Sequence, residues 1–265
     1  TTQTCHKVTL SYGRSLAHPE GRYYAAWEEK LSENSPGGHL WTAHSESGFN
    51  SPFTAPVQID HLVPGAESNA ANPSIACQNS AADNDSADMT EVILFEKFRP
   101  ETNQYSVAGI YNKKATTTDV FHPFTIDATL NNQLQPAVCF NPYDSSFIAT
   151  YWDSTLQKLP YRTHEFNMTD PDAWGGLSAG YNDDDNLIAP HPRVTLDYFT
   201  HTGANIWIGN PGGGNGAVLF DAPFVYYTGA DENTASKHGE ISLFPNPASE
   251  SVTVGFTLVK KENVD

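Results

Sequence analysis

Two clusters of acidic residues are the first places where the sequence could support metal chemistry. They are Asp83, Asp85 and Asp88 in one segment, and Asp183, Asp184 and Asp185 in another; Asp170 and Asp172 form a third, smaller acidic loop that could do the same. Hard cations such as Ca²⁺ prefer several oxygen ligands close together, and both clusters supply them. Neither cluster has the twelve-residue spacing of an EF-hand loop. The sequence therefore predicts either a Ca²⁺ site in at least one cluster or two solvated acidic loops.

Four tryptophans are candidates for binding sugars, because a flat aromatic ring stacks well against an apolar surface while its N–H bonds to polar groups. They are Trp27, Trp41, Trp152 and Trp207. Each lies in a short apolar segment that has the composition of a β-strand. A ring on such a strand can instead fill the gap between two neighbouring sheets. Both roles are open on the sequence.

Carboxylates recur directly after aromatic residues, at Glu28, Glu96 and Asp153. A repeated position indicates a repeated structural role, such as accepting a hydrogen bond from a neighbouring backbone amide. A pair of carboxylates that cleaves a glycosidic bond is the alternative.

The charge and the cysteines narrow the classes of partner and of metal site. Asp and Glu number 31 against 14 Lys and Arg, so the net charge is −17 and the phosphates of a nucleic acid would be repelled. No apolar run reaches the roughly 18 residues of a membrane span. The cysteines Cys5, Cys77 and Cys139 form no C-x-x-C pair, which argues against a cysteine-based zinc site. One disulfide or three free thiols are both open.

A loose fourfold repeat organises residues 1–228. Each copy opens with a short apolar strand, whose central residues are Val8, Ile75, Val138 and Val194, spaced 67, 63 and 56 residues apart. An aromatic-rich second strand and a third strand follow, separated by turn-forming Gly, Pro and Asn. Proline introduces three of the four first strands, and we expect it where the ladder has barely begun.

This pattern predicts an all-β fold in which residues 1–228 form four-stranded blades of a β-propeller. The apolar runs last only four to six residues and show no sustained period of 3.6, which favours strands over helices. Because a closed ring usually needs more than four blades, we expect the propeller to be incomplete at its N-terminal side. A β-sandwich with similar spacing is the alternative fold.

The segment from His44 to Phe49 resembles the Asp-box turn of sialidase-like propellers. Ser45 and Gly48 match that motif, whereas its Asp and closing Trp are missing. The resemblance implies the propeller fold and not an activity, because Asp-box turns are structural.

A sialidase-like enzyme would also need an arginine cluster, a tyrosine nucleophile and its glutamate partner. The five arginines are spread over all four repeats, and Arg193, beside His191 at the start of a first strand, is the candidate for a position near the propeller axis. An ion-paired or surface arginine is the alternative.

The C-terminal end changes composition after a polar linker over residues 229–240. A strand, a rigid corner and a second strand are expected around Phe244, Pro245, Asn246 and Pro247. Residues 241–265 resemble the opening of the type A sorting domain of the type IX secretion system of Bacteroidetes. The chain stops before that family's remaining strands and lysine-containing end motif, so the predicted sorting domain is truncated.

The resemblance implies that the type IX machinery exports the protein, which is then secreted or held at the outer-membrane surface. We therefore predict a non-catalytic propeller that binds an extracellular glycan or protein. The alternatives are a sialidase-like glycoside hydrolase or lyase, and a structural spacer at the cell surface.

Overall fold

A computed structural model describes most of the chain as strands and turns. The described residues are 4–15, 18–30, 32–48, 50–79, 89–113, 121–165, 168–178, 191–197, 202–209, 217–221, 241–244 and 253–256. Within these ranges the one helical element is a 3₁₀ turn at Asp60–Leu62, and no helix there is long and apolar enough to cross a membrane. The predicted all-β fold is confirmed.

Consecutive strands pair antiparallel to form three four-stranded sheets. The first sheet contains β1 (Thr4–Gly13), β2 (Arg22–Lys30), β3 (His39–His44) and β4 (Val57–Gln58). The second contains β5 (Ala70–Cys77), β6 (Glu91–Arg99), β7 (Gln104–Asn112) and β8 (His122–Phe124). The third contains β9 (Gln133–Asn141), β10 (Ser146–Asp153), β11 (Tyr161–Glu165) and β12 (Gly175–Ser178).

Two smaller sheets follow. The fourth sheet contains β13 (Arg193–Asp197), β14 (Thr202–Gly209) and β15 (Ala217–Asp221) among the described residues. Strands β16 (Ile241–Phe244) and β17 (Thr253–Phe256) pair antiparallel, with Phe244 opposite Thr253. The strands expected on both sides of the Pro-Asn-Pro corner are therefore present.

Strand β12 is the one strand of the first three sheets that the sequence pattern does not predict. Its residues Gly-Gly-Leu-Ser lack the β-branched and aromatic side chains that favour strands. Gly175 pairs with Thr163 of β11, and a Cβ at Gly175 would stand 3.1 Å from the Thr163 hydroxyl oxygen. Close packing against β11, rather than local propensity, determines this strand.

Apolar clusters join the sheets in the order of the chain. Residues from neighbouring sheets share a cluster in the pairs Tyr24 and Ile93, Leu94 and Phe147, and Ile148 and Trp207. The first strands β1, β5, β9 and β13 also lie next to one another in that order. Each sheet therefore packs against the next, and the first strands of successive sheets are neighbours.

Each first strand departs from regular β geometry at the same place in the repeat. The ladder shifts register at this point in the first three sheets. The residue concerned has a positive φ, namely Lys7 (49°), Asn72 (48°), Gln135 (54°) and His191 (43°). This left-handed conformation costs a non-glycine residue about 1–2 kcal/mol. Its recurrence in four sheets indicates that neighbouring contacts enforce it.

The prolines of the repeat lie inside two of the first strands, which corrects the expectation that they open them. Pro73 follows Asn72 within β5, and Pro136 follows Gln135 within β9. Pro192 directly precedes β13. A proline lacks the N–H that a strand interior needs, but the bulge has already interrupted the ladder at these positions.

Two buried carboxylates bind the backbone amides that the bulges leave without a ladder partner. The Asn72 N–H of the second sheet donates to Glu28 Oε2 of the first over 3.2 Å. The Gln135 N–H of the third sheet donates to Glu96 Oε1 of the second over 2.6 Å. The predicted structural role is confirmed for Glu28 and Glu96. Asp153 instead accepts from N–H groups in the turn that follows β10.

We expect Glu96→Ala to lower the free energy of unfolding by about 1–3 kcal/mol, because the Gln135 N–H loses its buried acceptor. Urea unfolding measures the change. Glu101→Ala, at an exposed turn position, is the matched control and should stay within about 0.5 kcal/mol of the native chain. Equal effects of the two substitutions would contradict the role of Glu96.

A second buried carboxylate in β6 makes the stability depend on pH. Burial raises the pKa of Glu91 to about 8. In the unfolded chain this group ionises near its ordinary pKa of 4.5, so the unfolded state releases a proton that the folded state retains. Burial of Glu91 therefore costs the least free energy of unfolding below pH 4.5. The free energy of unfolding falls as the pH rises from 4.5 towards 8.

Glu91→Gln should therefore leave the urea midpoint nearly unchanged at pH 4.5 and raise it relative to the native chain at pH 8. The expected gain at pH 8 is on the order of a few kcal/mol. The exposed Glu101→Gln variant should show no such pH-dependent difference. If the urea midpoint of Glu91→Gln differed from that of the native chain by the same amount at both pH values, Glu91 would not be a buried neutral acid.

Candidate binding site

The four left-handed residues surround one cavity of about 330 Å³. The first strands of the first three sheets and the start of the fourth form its walls. The polar side chains that line it include Lys7, Asn72, Ser74, Gln135, His191 and Arg193. Every one of the four sheets therefore contributes its irregular residue to the same space.

The cavity carries positive charge in a chain that is strongly acidic overall. Lys7 and Arg193 are cationic, and His191 gains a charge when it is protonated. No Asp or Glu occurs among the described residues that line the space. A concave surface lined by positive charge attracts an anionic group. The acidic residues that give the chain its net charge of −17 lie outside this lining.

A chain of hydrogen bonds runs behind this lining and links all four sheets. It begins at Glu28, which accepts from the Asn72 N–H, and the Asn72 side-chain amide then bonds to Glu96. Glu96 accepts from the Gln135 N–H, and Gln135 Oε1 accepts from the His191 N–H over 2.9 Å. Each link holds the backbone of one lining residue against its neighbour.

The acceptor in the bond to the His191 N–H is a neutral amide, whereas the acceptors for the Asn72 and Gln135 N–H groups are carboxyl groups. Trp152 pairs with Leu134 and so occupies the position that Glu96 holds opposite Ala71. Because the third sheet lacks a carboxylate there, the neutral amide of Gln135 supplies the acceptor. The third sheet therefore places no carboxylate beside His191 at the position equivalent to Glu96.

Glu96 shows how closely the buried carboxylates are fitted. Burial raises the pKa of Glu96, and the hydrogen bonds from the Gln135 N–H and the Asn72 amide act in the opposite direction. Both donors favour the ionised form, because they bond to the charged oxygens. The two groups that shape the cavity therefore oppose part of the pKa rise that burial imposes on Glu96.

The structure places Arg193 and His191 in the cavity lining, at the start of β13 and just before it. Arg193 is exposed, and its Nη1 donates to the Pro192 carbonyl over 2.9 Å.

Two other arginines form contacts outside the cavity. Arg99 is buried and donates to the Leu130 and Asn131 carbonyls.

Arg162 belongs to a separate buried group. Its Nη2 lies 3.3 Å from Asp127 Oδ2, which also accepts from the Tyr151 hydroxyl over 2.5 Å. Tyr151 is fully buried, so its hydroxyl cannot reach a sugar ring from solvent. This tyrosine–carboxylate–arginine group stabilises the third sheet and is not a place for nucleophilic attack.

The four candidate tryptophans lie outside the cavity lining. Trp207 is 2% exposed and packs between the third and fourth sheets, where its ring fills the gap between neighbours. Trp27 and Trp41 are half-buried and lie directly opposite each other on β2 and β3, so they share a face of the first sheet. Trp152 is also half-buried.

Several predicted residues lie outside the described part of the chain. They are Asp83, Asp85, Asp88, Asp183, Asp184, Asp185, Pro245, Asn246 and Pro247. Phe244 is the last residue of β16. Within the described ranges no group of three or more His, Cys, Asp or Glu side chains could hold a metal ion.

Sequence reasoning missed Lys7, Asn72 and Gln135 as lining residues. The signal was present, because Asn72, Gln135 and His191 each precede the proline of a first strand. A residue before proline inside a strand marks an interrupted ladder, and such bulges redirect side chains.

Comparisons with known proteins identify no family. No protein-family model matches the chain, and no curated protein matches it in sequence. One solved structure with a similar backbone is an N-acetylgalactosamine deacetylase from F. plautii, in complex with blood group B trisaccharide. The two share 10% identity with a TM-score of 0.46, and the match covers 82% of this chain and 66% of that one. A likeness of this size does not bear on what this chain binds.

Gln135→Met should lower the free energy of unfolding by about 1 kcal/mol, because the His191 N–H loses its protein acceptor at similar side-chain volume. Gln157→Met is the matched control. Gln157 also has a positive φ, 55°, but lies in an exposed turn. Urea unfolding of both variants separates the lost link from the cost of the backbone conformation, and indistinguishable midpoints would argue against the link.

Proposed function

We propose that the four sheets are blades of a β-propeller, with β1, β5, β9 and β13 innermost around its axis. The neighbouring first strands, the apolar clusters between successive sheets and the shared cavity support this arrangement. Leu10 on β1 is 63% exposed, and a further blade would cover such an apolar position in a closed ring.

The axial cavity is the proposed binding site, and its ligand is an acidic group carried by an extracellular glycan or protein. The observation that carries this proposal is the cationic lining, with Lys7 and Arg193 around one space in an acidic chain. Asn72 and Ser74 add neutral hydrogen-bonding groups, which suit the hydroxyls beside an acidic group. The half-buried Trp27 and Trp41 are further candidates for contacting a larger ligand.

Binding without turnover fits this site better than glycoside hydrolysis. Hydrolysis needs two carboxyl groups on either side of the scissile bond. The nearby Glu28 and Glu96 are buried and already accept hydrogen bonds from strand amides. Such carboxylates hold the site together and do not face a substrate.

The location of the protein belongs to the same proposal. The Phe-Pro-Asn-Pro sequence at 244–247 supports export by the type IX machinery and a place in the medium or on the outer-membrane surface. Cleavage or surface attachment in a bacterium with this machinery would test that part independently of any ligand.

Titration calorimetry with uronic-acid, sulfated and neutral oligosaccharides tests the binding site. We expect an acidic oligosaccharide to bind, neutral ones to bind at least about 10-fold more weakly, and affinity to fall as salt rises. Arg193→Ala should weaken binding about 10-fold or more, because a charged hydrogen bond contributes roughly 1.5–3 kcal/mol.

Arg14→Ala, which removes an exposed arginine outside the lining, is the control and should leave the affinity unchanged. Equal affinity for neutral and acidic sugars, or undiminished binding by Arg193→Ala, would reject the cationic cavity. Release of a reducing sugar that depends on Arg193 would replace the binding module with a glycosidase.

A further inference from the structure

A serine, a histidine and an aspartate from three separate segments meet at the edge of the first sheet. His39 is the first residue of β3, Asp60 opens the 3₁₀ turn, and Ser68 lies in the turn before β5. The Ser68 Oγ lies 3.4 Å from His39 Nε2, and His39 Nδ1 lies 3.1 Å from Asp60 Oδ2. We propose that these three residues hydrolyse carboxylic esters, with Ser68 as the nucleophile. This inference is independent of the axial cavity.

The Asp60 carboxylate lies in a position that orients the His39 imidazole. Its side chain is fully buried, and its oxygens accept from the Leu40 N–H over 3.3 Å and the Ser68 N–H over 3.0 Å. Those two backbone bonds anchor the loop. The imidazole adds a further contact, with one nitrogen at the carboxylate and the other at a hydroxyl.

The carboxylate selects the tautomer of His39 that a general base needs. A proton on Nδ1 donates to Asp60 and leaves the Nε2 lone pair facing the Ser68 hydroxyl. The Gln58 side-chain amide also lies 2.9 Å from Nδ1. Since the two ends of an amide are interchangeable by rotation, its oxygen can share the same Nδ1 proton. The side chain of His39 is 20% exposed, so a substrate can approach from solvent.

Ser68 occupies a strained and well-anchored turn. Its φ is 60°, in the left-handed region that few non-glycine residues adopt. The next residue fixes the turn, because the Asn69 N–H donates to the Ala66 carbonyl over 2.8 Å and its carbonyl accepts from Phe98 over 2.9 Å. A strained backbone held by its surroundings is typical of functional sites, where it presents one side chain in a fixed direction.

The proposed reaction proceeds in two steps. Ser68 Oγ attacks the ester carbonyl carbon while its proton passes to His39 Nε2, and the alcohol then departs with that proton as the C–O bond breaks. Water next attacks the acyl-serine, gives a proton to His39, and releases the carboxylic acid as Ser68 regains its proton. We expect slow turnover of small, activated esters, since the 3.4 Å contact must shorten in the reacting complex.

The test uses p-nitrophenyl acetate as substrate and a fluorophosphonate as covalent label, both with the full chain. We expect saturable p-nitrophenol release and a single labelled peptide that contains Ser68. Ser68→Gly removes the hydroxyl and also suits the positive φ, so it should fold normally and lose both the labelling and the turnover. His39→Ala should lower kcat/KM by about 100-fold or more, because general base catalysis is lost.

Ser145→Ala is the matched control, because Ser145 also has a positive φ, 53°, but lies in the turn between β9 and β10. It should retain full labelling and turnover. Absence of both labelling and hydrolysis in the native chain would overturn the proposal. Hydrolysis that survives in Ser68→Gly, or a label on another residue, would overturn it equally. Binding of acidic sugars to the axial cavity should be the same in Ser68→Gly and in the native chain, which separates the two proposals.

Discussion

At or just before three of the four first strands, a backbone amide is bonded by a neighbouring sheet, namely at Asn72, Gln135 and His191. The left-handed residue breaks the ladder, and in three sheets the residue that follows is a proline without an N–H. An amide that loses its ladder partner is stabilised when a neighbouring sheet supplies an acceptor, since an unsatisfied amide costs about 1–3 kcal/mol where it is buried. Glu28, Glu96 and Gln135 do so in turn. The bulge thus interrupts the ladder of one sheet and forms a joint, a hydrogen bond that links this sheet to its neighbour.

The same joint shapes the cavity. The backbone of a bulge is fixed by the sheet before it, while the side chain faces the shared space between the first strands. Lys7 and Arg193 carry charge into that space, whereas Asn72 and Gln135 both line it and link the sheets behind it. Burial of Glu28 and Glu96 beside these groups is tolerated, because each carboxylate accepts a hydrogen bond and Lys30 lies 3.2 Å from Glu28.

The sequence predicted the strands well where local pattern is strong. Short runs of β-branched and aromatic residues located the first three strands of every sheet, and the carboxylates after aromatic residues indicated an amide-binding role for Glu28 and Glu96. Strand β12 escaped prediction because Gly175 is selected by a close approach to Thr163 and not by propensity. Asp153 also accepts from backbone N–H groups, but within its own turn, because it stands one residue past the equivalent position, which Trp152 occupies.

The sites depended on information that the pattern does not contain. Arg193 could be proposed from its place in a repeat, but its grouping with Lys7 requires the sheets to be adjacent in space. His39 and Ser68 are 29 positions apart in the sequence, and with Asp60 they form no motif, because the start of β3 and two turns bring them together. Trp207 had two plausible roles, and only its burial between sheets distinguishes them.

Amide hydrogen exchange at Asn72 and Gln135 tests the joint between sheets most directly. Neither amide has a regular ladder partner, so each should exchange as fast as a turn amide if the neighbouring carboxylate does not bind it. We predict slow exchange for both, comparable to that of ladder amides within β6. Exchange at the rate of the exposed turn after β6 would contradict the account.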